Sequence, residues 1–185
     1  MERLSPRTTL LLVVDVQERL AAAMPSQQLD AVTANTSILL DAAARLGVTT
    51  LVSEQYPKGL GPTIPPLATR LHAMAVTPLA KTEFDACEDP AIARAIASLS
   101  PRAVVVVGME AHVCVFQTAR ELVRRGYATY VVADAVASRR EENRAAGLSL
   151  CERAGAIVTV TETVCFDWVK AAGTDDFKAV SKLVR

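Results

Sequence analysis

The sequence predicts a three-layer α/β/α fold, in which helices cover both faces of a doubly wound, six-stranded parallel sheet. Two observations lead to this fold class. Short β-branched runs alternate along the chain with longer Ala/Leu/Arg-rich stretches of helical spacing, as expected for a parallel sheet covered on both faces. Hydrophobic residues make up 51% of the chain and charged residues 22%, which favours a well-buried sheet or a covered oligomer surface.

Six runs have strand character: Thr9–Val14, Val48–Val52, a shorter run at Thr77–Lys81, Ala103–Val107, Thr129–Ala133 and Ala156–Val160. Helical spacing and glycine or proline boundaries predict crossover helices at Gln28–Leu46, Ala91–Leu99, Val113–Arg125 and Arg140–Ala154. Asp89 is the expected N-cap of the second of these helices. The Pro/Gly-rich stretch Glu54–Pro66 is predicted to be a loop that borders a ligand site at the carboxyl ends of the strands.

Composition limits the classes of partner. The 185 residues fit one domain spanning residues 1–185, and 20 basic residues balance 20 acidic ones without a Lys/Arg run, which argues against nucleic acid and favours small molecules. Four cysteines without a Cys-x-x-Cys pair, beside two histidines, argue against a zinc cluster, and no metal or cofactor is expected. The apolar run Leu10–Val14 is too short to span a bilayer, so a cytoplasmic protein with reduced thiols and no membrane contact is predicted.

Three polar residues stand at predicted carboxyl ends of strands, where parallel strands open onto one crevice. Asp15 follows LLLVV, Lys81 follows TPLA, and Cys114 lies in the turn GMEAHVC after AVVVV. A cysteine at a helix N-terminus, near an ammonium group, is expected to favour the thiolate. Asp15 would take the thiol proton and return it to a departing nitrogen, as cysteine attack on an amide requires.

Each of these residues also has a structural interpretation. Cys114 fits a small buried apolar residue, Asp15 fits the cap of a helix beginning near Gln17, and Lys81 fits a solvated strand end. A nucleotide-binding turn at Val107–Val113 is disfavoured, because it contains Gly108 alone where the phosphate loop of such folds carries several glycines.

Four motifs occur together between about Thr8 and Gly173: LLVVDVQERL, LAKTEFDA, VVVVGMEAHVCVFQTARELVRRGY and VVADAVASR. In this combination the sequence resembles the isochorismatase-like cysteine hydrolases, and SEQYPKGLGPTIPPL and GMEAHVC resemble the isochorismatase-domain-containing branch. The resemblance implies a catalytic triad of Asp15, Lys81 and Cys114 on a six-stranded parallel sheet. It also implies a cis peptide between Met109 and Glu110, which would aim the backbone N–H groups of Glu110 and Cys114 at a developing oxyanion.

The resemblance further suggests weaker roles around the pocket for Gln17 and Phe84, whose structural alternatives are a helix-surface position and core packing, and it suggests a homo-oligomer. Glu54, Gln55 and Tyr56 are expected either to reach the site from the predicted loop or to face solvent. Two departures matter. Metal-binding nicotinamidases carry an Asp-x-His-x-x-His arrangement after the second strand, whereas no histidine precedes Arg70 here. Ala111 stands where many members have threonine.

The sequence therefore predicts a metal-independent, amidase-type cysteine hydrolase that cleaves a small C–N bonded substrate through a thioester. The alternative is a catalytically quiet member of the family that acts by binding or assembly. Cys87, Cys151 and Cys165 are interpreted as structural thiols, and Trp168 as a packing or subunit-contact residue. His112 is interpreted as a residue without a chemical role, with an interface or pocket position as the alternative.

Overall fold

The computed structural model describes residues 3–185 and contains a six-stranded, all-parallel sheet flanked by helices on both faces. The strand order is β3-β2-β1-β4-β5-β6, so the chain winds outward in one direction from β1 and in the other direction from β4. This confirms the predicted three-layer, doubly wound fold. The order reverses between β1 and β4, and ligands bind beyond the strand ends at such a point.

The six strands are β1 Thr9–Val14, β2 Thr49–Gln55, β3 Leu79–Lys81, β4 Ala103–Met109, β5 Ala128–Ala137 and β6 Ile157–Thr159. The helices are α1 Glu18–Ala21, α2 Ser26–Leu46, α3 Pro57–Leu60, α4 Pro65–Ala73, α5 Pro90–Leu99, α6 Phe116–Arg124, α7 Glu141–Arg153, α8 Thr161–Val169 and α9 Asp175–Leu183. Across residues 3–185, no helix has the combined length and apolar character needed to cross a bilayer.

Most predicted boundaries lie within a few residues of those observed, and the main difference concerns the stretch Glu54–Pro66. It was expected to be a loop throughout, but β2 continues through Gln55 and the helix Pro57–Leu60 follows. Strand pairing explains the first difference, since Ser53, Glu54 and Gln55 align with the short strand β3 and thereby remain extended. The Asp89 side chain accepts hydrogen bonds from the backbone N–H groups of Ala91 and Ile92, which confirms the expected N-cap of α5.

Two apolar cores form because successive side chains of a strand point to opposite faces of the sheet. On β1, Leu11 and Val13 pack with helices α2, α4, α8 and α9. Leu10 and Leu12 pack on the other face with α5, α6 and α7. All four side chains are at most 1% exposed. Burial of each contributes roughly 1.5–3 kcal/mol, so the sheet is a fixed platform for the loops at its carboxyl edge.

The central strands approach each other closely at the edge where the candidate site lies. Gly108, near the end of β4, has φ of 124°, which side chains rarely tolerate. A Cβ atom placed there would lie 1.9 Å from the backbone oxygen of Val14. Because Val14 directly precedes Asp15, the glycine allows β4 to lie against the backbone that supports the first candidate catalytic residue.

Candidate active site

The side chains of Asp15, Lys81 and Cys114 meet at the carboxyl edge of the sheet. The Lys81 Nζ atom lies 2.7 Å from Asp15 Oδ2. The Cys114 thiol donates a hydrogen bond to the Asp15 carboxylate. The three residues are 0%, 3% and 5% exposed in chain order, so these contacts form away from bulk water. The fold thus brings together residues that are far apart in sequence.

Asp15 is held from two sides at the end of β1. Its backbone adopts φ of 53°, in the left-handed region that aspartate tolerates better than most residues. Its backbone N–H donates to the Ser53 carbonyl at 3.1 Å, and the Ser53 hydroxyl donates to Oδ1 at 2.7 Å. The helix-cap interpretation of Asp15 is therefore wrong: helix α1 begins at Glu18 without a side-chain cap, and the Asp15 carboxylate contacts Ser53, Lys81 and Cys114.

Lys81 is buried, which overturns its interpretation as a solvated strand end. The Nζ atom donates to Asp15 Oδ2 at 2.7 Å, to Gln55 Oε1 at 2.6 Å and to the backbone oxygen of Glu83 at 3.0 Å. A longer contact of 3.4 Å reaches the Phe84 carbonyl. An ammonium group has three N–H donors, so protein acceptors already occupy all of them. Lys81 thus acts on the site through its charge.

Cys114 lies in a π-helical turn, Ala111–Val115, which continues directly into α6. The expectation that its sulfur is ionised in the free protein is wrong. Burial is the largest cause that raises the pKa of the Cys114 thiol to about 12, and the negative charge of Asp15 raises it further. Lys81 lowers this pKa without cancelling the other two effects. In the resting protein, Cys114 is accordingly a neutral thiol that is hydrogen-bonded to the Asp15 carboxylate, an arrangement that suits proton transfer to Asp15.

Charged and polar side chains fix the turn before Cys114. The peptide bond between Met109 and Glu110 is cis. The Glu110 carboxylate accepts hydrogen bonds from Arg139 Nε at 2.9 Å and Arg139 Nη2 at 3.1 Å. The Arg139 hydrogen bonds and charge lower the pKa of the Glu110 carboxyl although burial opposes them. The backbone N–H of Ala111 donates to Ser138 Oγ at 3.1 Å. The residues after β5 therefore hold the turn from its outer side.

His112 faces the side chains behind this turn. Its Nδ1 lies 3.1 Å from Ser138 Oγ, and its Nε2 lies 3.3 Å from Asn143 Nδ2. The remaining cysteines, Cys87, Cys151 and Cys165, are at most 2% exposed, and burial is the largest cause that raises the pKa of each thiol to about 12. Trp168 is 3% exposed within the core.

The four suggested pocket residues divide into two kinds. Gln17 is fully buried, and its amide binds the backbone of Gln55 and Gly61, while Glu54 accepts hydrogen bonds from the N–H and hydroxyl of Thr63. These contacts hold the segment after β2, and contact of either side chain with a substrate remains a prediction. Tyr56 and Phe84 are 55% and 54% exposed, respectively. Tyr56 borders an open cavity of about 380 Å³ that Lys81 also lines. Substrate contacts by these two aromatic residues remain a prediction.

Ser53, Ser138 and Arg139 help to build the site and were not predicted to do so from the sequence, whereas Gln55 was expected as a loop residue that could reach it. Ser53 and Gln55 contact Asp15 and Lys81, while Ser138 and Arg139 hold the Cys114 turn. Alternation along β2 places Ser53 and Gln55 on one face of the strand, a signal that was present in the sequence. Ser138 and Arg139 directly follow β5, and only the tertiary structure shows which turn they contact.

Gly147 is another missed residue, because it lies in the middle of α7 and yet supports the Cys114 turn. A Cβ atom at this position would lie 2.6 Å from the Ala111 carbonyl carbon and 2.6 Å from the His112 nitrogen. Gly147→Ala gains roughly 1 kcal/mol of helix propensity but forces α7 and the turn apart, at a cost of about 1–3 kcal/mol. We expect slower alkylation of Cys114 by acrylamide, measured by peptide mass spectrometry.

Ser149→Ala is the matched control, since Ser149 is an exposed residue of the same helix. This variant should retain the wild-type alkylation rate and unfolding midpoint to within a few tenths of a kcal/mol. If Gly147→Ala behaved like the control in both measurements, the close approach of α7 to the Cys114 turn would have no functional consequence.

Within residues 3–185, no group of three or more His, Cys, Asp and Glu side chains is arranged to hold a metal ion. The buried polar centre consists of a carboxylate, an ammonium and a thiol on a doubly wound parallel sheet. This combination defines the class of the protein as a doubly wound α/β protein with a buried cysteine at the switch point of its sheet.

The comparisons with known proteins specify the family. The sequence model of the isochorismatase domain matches residues 9–163, and the chain belongs to the isochorismatase family. Isochorismatase domain-containing protein 2 of Danio rerio is 35% identical, with 98% of this chain and 89% of that protein covered. The human protein of the same name is 34% identical, with 99% and 86% covered.

Two solved structures show the same architecture. The MAR1 ribonuclease from Caenorhabditis elegans has a TM-score of 0.91 and 37% identity, and the alignment covers 99% of this chain and 92% of that one. The YcaC gene product of Escherichia coli, described as an octameric hydrolase of unknown specificity, has a TM-score of 0.90 and 21% identity, with 98% and 88% covered. The second likeness concerns the fold alone.

Proposed function

We propose that this protein is a cysteine-nucleophile hydrolase that cleaves a small amide-like substrate without a metal or cofactor. The observation that carries the proposal is the buried contact of one carboxylate with both a neutral thiol and an ammonium group. A carboxylate that is hydrogen-bonded to a thiol is placed to remove the thiol proton. The adjacent positive charge of Lys81 stabilises the thiolate that forms.

The proposed reaction begins when Asp15 takes the Cys114 proton and the sulfur forms a bond to the substrate carbonyl carbon. The carbonyl oxygen becomes negative and is stabilised by the backbone N–H groups of Glu110 and Cys114. Collapse of this intermediate breaks the C–N bond, and the departing nitrogen takes the proton from Asp15. The products of this half-reaction are a free amine or ammonia and a thioester on Cys114.

Water completes the cycle. Asp15 removes a proton from the water, whose oxygen bonds to the thioester carbon. The C–S bond then breaks, the carboxylic acid leaves, and the sulfur regains its proton from Asp15. Lys81 keeps its contacts with Asp15, Gln55 and Glu83 throughout, so its contribution is electrostatic.

The test measures product release from a panel of small primary amides together with mass spectrometry of Cys114. The wild-type protein should release ammonia and form an acyl or acrylamide adduct on Cys114. Cys114→Ser should lose both, with a rate decrease of about 10³-fold or more, because a serine hydroxyl is far harder to deprotonate. Cys87→Ser, which changes another buried thiol, serves as the control and should retain activity. Equal activity of wild type and Cys114→Ser would refute the proposed mechanism.

Two properties of solved structures support parts of this proposal. YcaC from Pseudomonas aeruginosa, with a TM-score of 0.90 and 20% identity, is described with covalent acrylamide, which is consistent with a reactive nucleophile in that protein. The octameric description of the Escherichia coli protein and the exposed side chains of Tyr56 and Phe84 support homo-oligomerisation of this chain. Sedimentation velocity measures the assembly state directly.

The ribonuclease description of the Caenorhabditis elegans relative favours a second function, cleavage of RNA. Phosphodiester binding depends on cations that can contact phosphate. Here Lys81 is paired with Asp15, and Arg139 is paired with Glu110. Overall charge is balanced, with 20 basic and 20 acidic residues. These pairings favour a small neutral substrate. Incubation with labelled single-stranded RNA tests the second function, and Cys114-dependent cleavage would displace the amidase proposal. A protein inactive in both assays would instead be a binding or assembly member of the family.

A further inference from the structure

A chain of buried hydrogen bonds extends from the candidate triad into β2 and the segment that follows it. Gln55 is 7% exposed, and its amide oxygen lies 2.6 Å from Lys81 Nζ. The amide nitrogen donates to the Thr82 carbonyl at 2.7 Å. This second bond fixes which end of the amide faces the ammonium. Gln55 therefore presents its acceptor, and never its donor, to Lys81.

Gln17 in turn fixes the backbone of Gln55. The Gln17 amide oxygen accepts the Gln55 N–H at 2.7 Å, and the Gln17 amide nitrogen donates to the Gln55 carbonyl at 3.0 Å. The same nitrogen donates to the Gly61 carbonyl at 2.6 Å. Because one fully buried side chain makes all three bonds, the position of Gln55 is tied to both β2 and the segment that follows it.

The ammonium geometry shows what this arrangement does. Asp15, Gln55 and the Glu83 carbonyl each accept one N–H of Lys81. Removal of the Gln55 acceptor would leave one buried N–H with only the longer, weaker contact to the Phe84 carbonyl at 3.4 Å, which costs free energy and favours rotation of the ammonium away from Asp15. A neutral amide at this point satisfies the ammonium and leaves its full charge available to the Asp15–Cys114 pair.

We propose that Gln55 is a positioning residue of the hydrolase: its amide oxygen holds the Lys81 ammonium against Asp15 and thereby sets the pH range in which the Asp15–Cys114 pair transfers its proton. Gln17 supports this role by fixing the Gln55 backbone. The inference rests on the proposed function, since it concerns the same proton transfer.

Other charged or titratable groups near the pair belong to the turn after β4 and to the segments after β3 and β5. Glu110 acts on Cys114 through its negative charge, and Arg139 pairs with Glu110. His112 contacts Ser138 and Asn143. The Glu83 carboxylate accepts a hydrogen bond from the backbone N–H of Thr82. The test leaves all of these residues unchanged, so a change in the pH profile reports on Gln55.

The experiment measures the rate of acrylamide addition to Cys114 between pH 4 and pH 10 by peptide mass spectrometry. Gln55→Glu adds a negative charge beside Lys81, which makes Asp15 easier to protonate. We expect the acid limb of the wild-type profile to move upward by about one pH unit, which corresponds to a tenfold change in proton affinity. Gln27→Glu adds the same charge at an exposed position on α2 and should reproduce the wild-type profile.

A second, neutral variant keeps the test informative if Gln55→Glu does not fold. Gln55→Met keeps a similar volume without the amide acceptor, and we expect a plateau rate about fivefold below wild type with no upward movement of the acid limb. Thermal unfolding identifies which variants are folded. If the folded variants gave wild-type profiles and rates, Gln55 would be structural only and the inference would be overturned.

The two proposals fail in different ways. If addition to wild-type Cys114 did not depend on Asp15, as judged with Asp15→Asn, the proposed hydrolase mechanism itself would fail. If that dependence were present while the Gln55 variants matched wild type, only the positioning role would fail.

Discussion

Asp15→Asn is expected to make Cys114 easier to ionise and yet to abolish hydrolysis. The negative charge of Asp15 and its hydrogen bond both raise the pKa of the Cys114 thiol, whereas Lys81 lowers it. Asparagine is similar in size to aspartate but uncharged. The substitution therefore removes two effects that oppose ionisation of the thiol and keeps the Lys81 ammonium, which favours ionisation. The thiol pKa should therefore decrease from about 12.

The consequences for reactivity depend on pH. In the wild-type protein, Asp15 takes the thiol proton, so the rate of acrylamide addition should change little between pH 7 and pH 9. In Asp15→Asn, reaction requires ionisation to solvent, so the rate should increase up to tenfold per pH unit while thiol remains the main form. Thiolate absorbance in the ultraviolet, recorded against a Cys114→Ser background, gives the pKa independently.

Turnover should change in the opposite direction. Without a group that protonates the departing nitrogen, amide hydrolysis by Asp15→Asn should decrease by about 10²–10⁴-fold, the usual contribution of a general acid or base. The role proposed for Asp15 would be wrong if the variant hydrolysed amides at the wild-type rate. It would also be wrong if the thiol pKa increased.

The second large effect is expected from Gly108→Ala, which should destabilise the fold at the point where β4 meets the end of β1. A Cβ atom at this position would lie 1.9 Å from the Val14 oxygen and 2.7 Å from the Val14 carbonyl carbon. Both contacts involve backbone within the sheet, so relief requires strand displacement. Unfavourable φ and overpacking together cost about 3–6 kcal/mol, a large share of ordinary domain stability.

Urea unfolding measures this loss of stability. Gly126→Ala is the matched control, because Gly126 also has positive φ, 87°, but a Cβ atom there meets nothing within 4 Å. The control should lose only about 1–2 kcal/mol of backbone strain. Equal free energies of unfolding for the two variants would show that the close approach to Val14 can be relieved cheaply. Because Val14 precedes Asp15, any folded Gly108→Ala protein should also react more slowly at Cys114.

Much of the fold was predictable because local patterns and tertiary structure agree. The continuous apolar run Thr9–Val14 predicted a doubly buried strand, and the strand has those bounds with every residue buried. Asp89 followed by proline marked the start of α5 correctly. The extent of β2 was missed, since Glu54 and Gln55 have little strand character and remain extended through pairing with β3.

The candidate site divides in the same way. Sequence position placed Asp15, Lys81 and Cys114 at strand ends, and family motifs singled out their types. The ionisation state of Cys114 was predicted wrongly from the sequence. Burial and the charge of Asp15 raise the thiol pKa, and both depend on packing that no local pattern reports. Also missed were Ser53, Arg139 and Gly147, whose roles arise from contacts between distant segments.

By itself, the sequence determined the doubly wound α/β fold, the family and the three residue types at the carboxyl edge of the sheet. Strand periodicity and strand-end position are local properties, so they can be read along the chain. Only the tertiary structure decided that Cys114 is a neutral thiol hydrogen-bonded to Asp15 and that the Gln55 amide oxygen accepts a hydrogen bond from the Lys81 ammonium. Protonation and hydrogen-bond saturation depend on burial and on distances of a few ångströms between residues far apart in sequence.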